Sequence, residues 1–285
     1  MAVDGFELAY DRTGSGPAVV LLHGWPGDRT DYRELVPLLP GCDVVVPDLR
    51  GFGRSAKHRA DPVEQYGADA QARSVAGLIT SLGLDRPVVA GYDIGSRIAQ
   101  TLAQRHPELV RGLVITPPVP GVGQRVFGPG PLREFWYQQF HRLPLSEELV
   151  DGKPDAVRAY LRHFWEHWSG PRFEVTDAHL DHLVSVYGPP GAFPASVQWY
   201  RAGSGTAARA AAETATPDPA EVVATPTVVL WPEYDPLFPR EWSDRLGDYF
   251  SQVRLRLVDE AGHFAPLEYP AVVAQEIRGF LTPAT

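Results

Sequence analysis

Hydrophobic and polar positions follow two alternating rhythms in the first 115 residues. Residues 6–10, 18–22, 43–46, 86–90 and 110–115 are short, largely apolar runs closed by turn-forming residues, and they read as strands. Between them the spacing becomes helical, with Val75, Leu78, Ile79 and Leu82 inside residues 68–82, then Ile94, Ile98 and Leu102. Strand, helix, strand, helix predicts an α/β fold with a mainly parallel central sheet flanked by helices. The rhythm breaks at Pro117-Pro118-Val119-Pro120-Gly121. The following hundred residues are aromatic and helical, carrying Trp136, Tyr137, Phe140, Tyr160, Phe164, Trp165, Trp168, Tyr187, Trp199 and Tyr200. The first pattern then resumes with strands at 227–230 and 253–258 and helices at 240–250 and 271–280. This predicts a core domain of residues 1–117 and 225–285 interrupted by a helical cap of residues 118–224. Residues 202–220, rich in alanine and containing glycine, read as the return from cap to core, part helix and part loop.

Composition narrows the function classes. A chain of 285 residues with 44% hydrophobic content can bury a large core, and a formal charge of -9 argues against nucleic acid as a partner. Met1-Ala2-Val3-Asp4-Gly5 has neither a basic nor an apolar leader region, and no apolar run approaches the roughly 20 residues of a bilayer crossing, so a soluble, cytoplasmic protein is expected. Cys42 is the only cysteine, which leaves no internal disulfide and no thiolate metal cluster. Lys57 and Lys153 are the only lysines among 26 basic residues, read as compositional bias.

The chemistry centres on Gly91-Tyr92-Asp93-Ile94-Gly95, which stands between an apolar strand and a helical pattern. Glycines two positions to either side let the backbone turn sharply and push the central side chain into a pocket, as in a nucleophile elbow. A carboxylate there attacks carbon, and the ester it forms needs water for release. The structural alternative is that Asp93 caps the following helix. Two further residues fall after the carboxyl ends of strands, where open α/β sheets gather their chemistry: Asp235 and His263. Glu233 competes with Asp235 for the role of acid and ranks below it, because Asp235 lies further into its loop. In His23-Gly24-Trp25-Pro26-Gly27, the backbone N–H of Trp25, paired with that of Ile94, is expected to form an oxyanion hole. Trp25-Pro26 is a candidate cis peptide, and His23 reads as a brace for the loop. The Gly-rich turn Asp48-Leu49-Arg50-Gly51-Phe52-Gly53-Arg54-Ser55 lacks a P-loop lysine and reads as fold support.

The order nucleophile, acid, histidine resembles that of the α/β-hydrolase superfamily, and the aspartate elbow is similar to that of its epoxide hydrolase and dehalogenase branch. The resemblance covers essentially the whole chain, most securely residues 17–118 and 225–280. Four motifs match in order: His23-Gly24-Trp25-Pro26, the Asp93 elbow, Asp235, and Gly262-His263-Phe264. Only the first strand looks short beside relatives. The resemblance implies an α/β-hydrolase fold with an inserted helical cap and a covalent ester on Asp93. It further implies that water activated by the His263-Asp235 pair hydrolyses this ester. Epoxide hydrolases of this kind carry two cap tyrosines that donate hydrogen bonds to the epoxide oxygen. Phe135-Trp136-Tyr137-Gln138 resembles the segment holding the first, and Gln198-Trp199-Tyr200-Arg201 the segment holding the second.

Haloalkane dehalogenases place tryptophan directly after the aspartate, where this chain has Ile94, and commonly asparagine at the position of Trp25. Fluoroacetate dehalogenases place arginines one and four residues after the aspartate and a His-Trp pair in the cap. Here only Arg97 matches, and Tyr137-Gln138 replaces the pair. Arg97 is therefore expected on the helix surface or in an inter-segment ion pair. An epoxide hydrolase is the leading reading, with a dehalogenase on the same nucleophile and a non-catalytic ligand-binding relative as alternatives. No cofactor is implied. The expected partners are a small apolar epoxide and water, with Trp25, Trp136, Trp165, Trp199 and Phe238 as pocket walls, in a monomer or homodimer. His163-Phe164-Trp165-Glu166-His167 fits a zinc peptidase pattern, but beside a full hydrolase constellation it reads as a partly buried cap helix, as do His179 and His182; no metal site is expected.

Overall fold

The computed structural model describes residues 1–213 and 216–282. The strands are β1 (Ala2–Val3), β2 (Phe6–Glu7), β3 (Tyr10–Thr13), β4 (Ala18–Leu22), β5 (Asp43–Pro47), β6 (Val88–Gly91), β7 (Gly112–Ile115), β8 (Thr227–Pro232) and β9 (Val253–Val258). Every position of β4 to β8 is buried, which is why these segments read as unbroken apolar runs: helices cover both faces of the sheet. The main sheet has the order β3-β5-β4-β6-β7-β8-β9. Only β3 runs antiparallel, paired with β5.

β4 has β5 on one side and β6 on the other, so the strand order reverses there. Leu22 at the end of β4 is in register with Gly91 at the end of β6. The loops leaving these two strands therefore diverge around a crevice at the carboxyl edge of the sheet, the usual place for a ligand in an open α/β fold. The helix Asp93–Arg105 lies against β4, β6 and β7. A Cβ on Gly95 would stand 2.0 Å from the Leu22 carbonyl oxygen, so glycine is what lets this helix begin so close to the sheet.

The inserted segment between β7 and β8 is helical, with Pro154–Trp168 and Asp177–Tyr187 its longest elements. It is bound to the carboxyl edge by specific hydrogen bonds. Trp165 Nε1 donates to the Pro26 carbonyl at 3.0 Å and the Tyr187 hydroxyl to the Gly27 carbonyl at 2.7 Å, while the Trp168 carbonyl accepts from the His263 N–H at 2.8 Å. Aromatic side chains pack between these anchors, Trp165 stacking on Phe264 with ring centroids 3.8 Å apart.

Several expected elements are corrected. The single strand over residues 6–10 is two, because the Leu8 N–H turns back to the Met1 carbonyl and the Ala9 N–H is taken by Ser55 Oγ, splitting the run between two sheets. The last strand before the insert begins at Gly112, not at residue 110. The expected helix 240–250 is a 3-10 helix, Arg240–Arg245, followed by one α-helical turn, Leu246–Tyr249. Within residues 202–220 the helix is Thr206–Ala212, while Thr214 and Ala215 lie outside the described residues. Among the described residues no helix is long and apolar enough to cross a membrane.

Candidate active site

Asp93 is the first residue of its helix and has φ +49°, a left-handed backbone that non-glycine residues rarely adopt and that costs on the order of 1–3 kcal/mol. The surrounding packing holds it there. A Cβ on Gly24 would lie 2.5 Å from the Asp93 Cβ, and one on Gly91 would lie 2.6 Å from the Gly95 carbonyl carbon. The helix N-cap is Tyr92 and no side chain caps this helix start, so Asp93 is not the cap. Its Oδ1 accepts the Trp25 N–H at 2.8 Å. The Ile94 amide lies in the first helical turn, where N–H groups have no acceptor within the helix. Of the two expected oxyanion donors, the Trp25 amide thus meets the carboxylate, and Ile94 lines the same cavity. Trp25-Pro26 is cis.

His263 stands on the opposite side of Asp93. Its Nε2 is 3.4 Å from Asp93 Oδ2, an ion-pair separation outside hydrogen-bonding geometry, and its Nδ1 is 2.9 Å from Asp235 Oδ2. Asp235 Oδ1 accepts the Leu237 N–H, which fixes the carboxylate for the histidine. Glu233 instead accepts the Glu260 N–H at the surface, so it is not the partner of His263. Burial opposes a charge on His263, but the adjacent Asp235 and then Asp93 outweigh it and raise its pKa to about 10.

Tyr137 and Tyr200 reach the same cavity from the insert, together with Ile94, Gln138 and Trp199. Their rings meet edge to face at 5.6 Å. Burial, with the Asp93 charge adding to it, raises both phenols well above their ordinary value of 10.0, so both carry their protons at neutral pH. The cavity encloses only ≈ 10 Å³, on the order of one water. A larger cleft of ≈ 390 Å³, lined by Asp28, Lys57 and His182, lies along the seam between insert and core, and Asp93 does not line it.

The pocket walls separate into two groups. Trp199 lines the cavity, and Trp25 stacks on Tyr137 with planes 6° apart. Trp136 is 42% exposed and packs on Phe164, outside the cavity lining, so it is corrected from wall to outer surface of the insert. Phe238 packs on Phe135 and Trp242, and Trp165 on Phe264; both are structural packing, not lining. Arg97 is also corrected: it is 7% exposed, no ion pair of the described residues includes it, and it faces a separate cavity beside Tyr249. Burial, then the nearby Arg209, lowers its pKa to about 9. His23 accepts the Leu49 N–H on Nε2 and braces the oxyanion loop, while Asp48 gathers the Arg29 and Arg54 amides in the Gly-rich turn.

On the insert helix, the His163 and His167 rings stack 5.7 Å apart, while His167 pairs with Glu134 at 2.7 Å and Glu166 faces Arg162. Two supporting residues had no role assigned from the sequence. Glu268 accepts the N–H groups of Gly170, Gly262 and Phe264, tying the His263 loop to the insert. Gln138 donates to the Tyr137 hydroxyl. The only signal of either in the sequence is its adjacency to a functional segment.

Comparison with known proteins extends the picture from the site to the whole chain. The soluble epoxide hydrolase of Corynebacterium sp. (strain C12) is 28% identical over 308 residues, covering 99% of this chain and 96% of that protein. A fluoroacetate dehalogenase from Burkholderia sp is 30% identical over 195 residues, covering 67% of this chain and 64% of the relative. The ligand-free structure of the epoxide hydrolase CorEH superposes with a TM-score of 0.83 at 26% identity, covering 99% and 96% of the two chains. The family profile described as the alpha/beta hydrolase fold matches residues 17–270, and the chain belongs to that family.

Proposed function

We propose that the protein hydrolyses an epoxide to a vicinal diol through an ester on Asp93. The observation that carries this reading is one small cavity with the Asp93 carboxylate and the Tyr137 and Tyr200 phenols on its walls, and the His263-Asp235 pair directly behind the carboxylate. Whole-length similarity to a soluble epoxide hydrolase supports it. Asp93 attacks an epoxide carbon, the ring C–O bond breaks, and a phenol protonates the departing oxygen. The Trp25 and Ile94 amides then face the ester carbonyl, where they stabilise the oxyanion formed when water attacks.

Charge explains how His263 changes role between the steps. In the free protein two carboxylates face the imidazole and favour its protonated form. Once Asp93 is esterified one of those charges is gone, the imidazole becomes less basic, and it is freed to take a proton from the hydrolytic water. Asp235 holds Nδ1–H and orients Nε2 toward that water.

Dehalogenation on the same nucleophile is less well supported, because Arg97 turns away from the Asp93 cavity and Ile94 offers no polar group to a halide. A single turnover with excess enzyme in heavy-oxygen water, using a styrene-type oxide and separately a fluorinated acid, tests the reading. Diol together with label in the Asp93 peptide is expected. Halide release with label moves the function to dehalogenation, and absence of label with both substrates favours a binding protein.

A further inference from the structure

Gln138 is 4% exposed and both ends of its amide are committed. Oε1 accepts the Ala207 N–H at 3.0 Å, and Nε2 donates to the Tyr137 phenol oxygen at 3.2 Å. The first contact fixes the sense of the second, since only the amide oxygen can accept from a peptide N–H. The NH₂ end therefore faces the phenol. A phenol oxygen that accepts here keeps its own hydrogen for another acceptor.

The segment carrying Ala207 is built around this contact. A Cβ on Gly205 would lie 2.8 Å from Gln138 Oε1 and 3.1 Å from Tyr200 Cδ1, so a larger residue would press on both the amide and the second phenol. Among the hydrogen bonds of the described residues none joins Gln138 to Tyr200, so the two phenols are not equivalent. Burial raises both phenols, and the Gln138 hydrogen bond draws the Tyr137 pKa back down.

We propose that Gln138 is a positioning residue that makes Tyr137, rather than Tyr200, the proton donor in ring opening. The proposal rests on the epoxide-hydrolase reading. As the Asp93–carbon bond forms and the ring C–O bond breaks, the epoxide oxygen takes the Tyr137 proton and leaves a phenolate. Gln138 Nε2–H then donates to an anion instead of a neutral oxygen, and a charge-assisted bond is about twice as strong. The contact tightens as the charge develops, so it lowers the barrier and does not merely improve binding. The proton set free when water hydrolyses the ester returns to the phenolate and closes the cycle.

Two substitutions separate the donor from the scaffold. Gln138→Glu keeps an acceptor for the Ala207 N–H but loses the donor to Tyr137, whereas Gln138→Leu loses both. Single-turnover rates of ester formation and ester hydrolysis, measured with styrene oxide, are the readout, with melting temperature as the control. Both variants are expected to slow ester formation about 10- to 100-fold while hydrolysis of the ester stays as in the parent. In a Tyr137→Phe background either change adds no further loss, and in a Tyr200→Phe background it keeps its full effect. The proposal is overturned if the Gln138 variants slow the Tyr137→Phe enzyme as much as the parent, or slow both half-reactions equally. If the parent forms no ester with the oxide, the epoxide reading falls, and this proposal with it. Ester formation by the parent that the Gln138 variants leave unchanged overturns only the role of Gln138.

Discussion

At the scale of single residues, the site is held by backbone groups as much as by side chains. The Trp25 amide on Asp93 Oδ1, the Leu237 amide on Asp235 Oδ1 and the Trp168 carbonyl on the His263 N–H each fix one member of the constellation. A hydrogen bond to a charged group contributes on the order of 1.5–3 kcal/mol, enough to select one orientation of each carboxylate. In the proposed mechanism His263 is where the two half-reactions part, because there it serves hydrolysis but not attack. His263→Gln is expected to form the Asp93 ester at a rate near that of the parent and then stall. One equivalent of added mass equal to that of the epoxide on the Asp93 peptide, persisting for many times the parent's turnover time, is the result to look for by mass spectrometry; continued turnover would remove His263 from the mechanism.

Secondary elements bring these residues together by their ends. Asp93, Asp235 and His263 each follow a parallel strand, so their relative placement depends on the β6-β7-β8-β9 register and not on loop flexibility. The His263 loop is the exception, since β9 lies at the sheet edge and is largely exposed. Glu268 supplies the missing restraint, one half-buried carboxylate accepting three backbone N–H groups from the loop and the insert. Burial still raises its pKa above the ordinary value, the three donors notwithstanding. Glu268→Leu leaves those donors unpaired at about 1–3 kcal/mol each, partly relieved by water, so a loss of about 3 kcal/mol is expected in urea denaturation. Turnover should fall with it. A loss under about 0.5 kcal/mol would show that the loop is held by other contacts.

For the whole molecule, the decisive feature is how narrow the cavity beside Asp93 is, with ≈ 10 Å³ of enclosed space. For the proposed epoxide, entry calls for a shift of the insert or its aromatic side chains, so the bonds between insert and core bear on access as well as stability. One of them titrates: His182 Nε2 meets Asp28 Oδ2 at 2.9 Å. The Asp28 hydrogen bond raises the His182 pKa above its ordinary 6.5. Burial opposes the Asp28 charge, but the His182 contact outweighs it and draws the Asp28 pKa below its ordinary 3.8. The His182 contribution to stability is therefore complete below pH 6.5 and is lost as pH rises through the raised value. The Asp28 contribution is present above pH 3.8 and fades as pH falls through the lowered one. The latch is strongest between these limits. Hydrogen exchange in the helix Asp177–Tyr187 is expected to quicken relative to the core above neutral pH, after correction for intrinsic rates, and His182→Ala should abolish that dependence. An unchanged profile in the variant would exclude the latch.

The strand runs, the glycine-flanked elbow and the order of Asp93, Asp235 and His263 were legible in the sequence, because each rests on local chemistry. Apolar β-branched runs mark buried strands, glycines mark a tight turn, and strand ends gather polar residues. The two phenols could be singled out only by resemblance to known segments, since an aromatic residue in a helical insert carries no local sign of what it faces. Contacts distant in sequence decided the remainder. The run at 6–10 divides because its amides find partners in two different places, Arg97 is buried because the return from the insert covers it, and Trp136 packs on the outer side of the aromatic cluster. Gln138 and Glu268 gain their roles in the same way, each from backbone N–H groups that only the folded chain brings within reach.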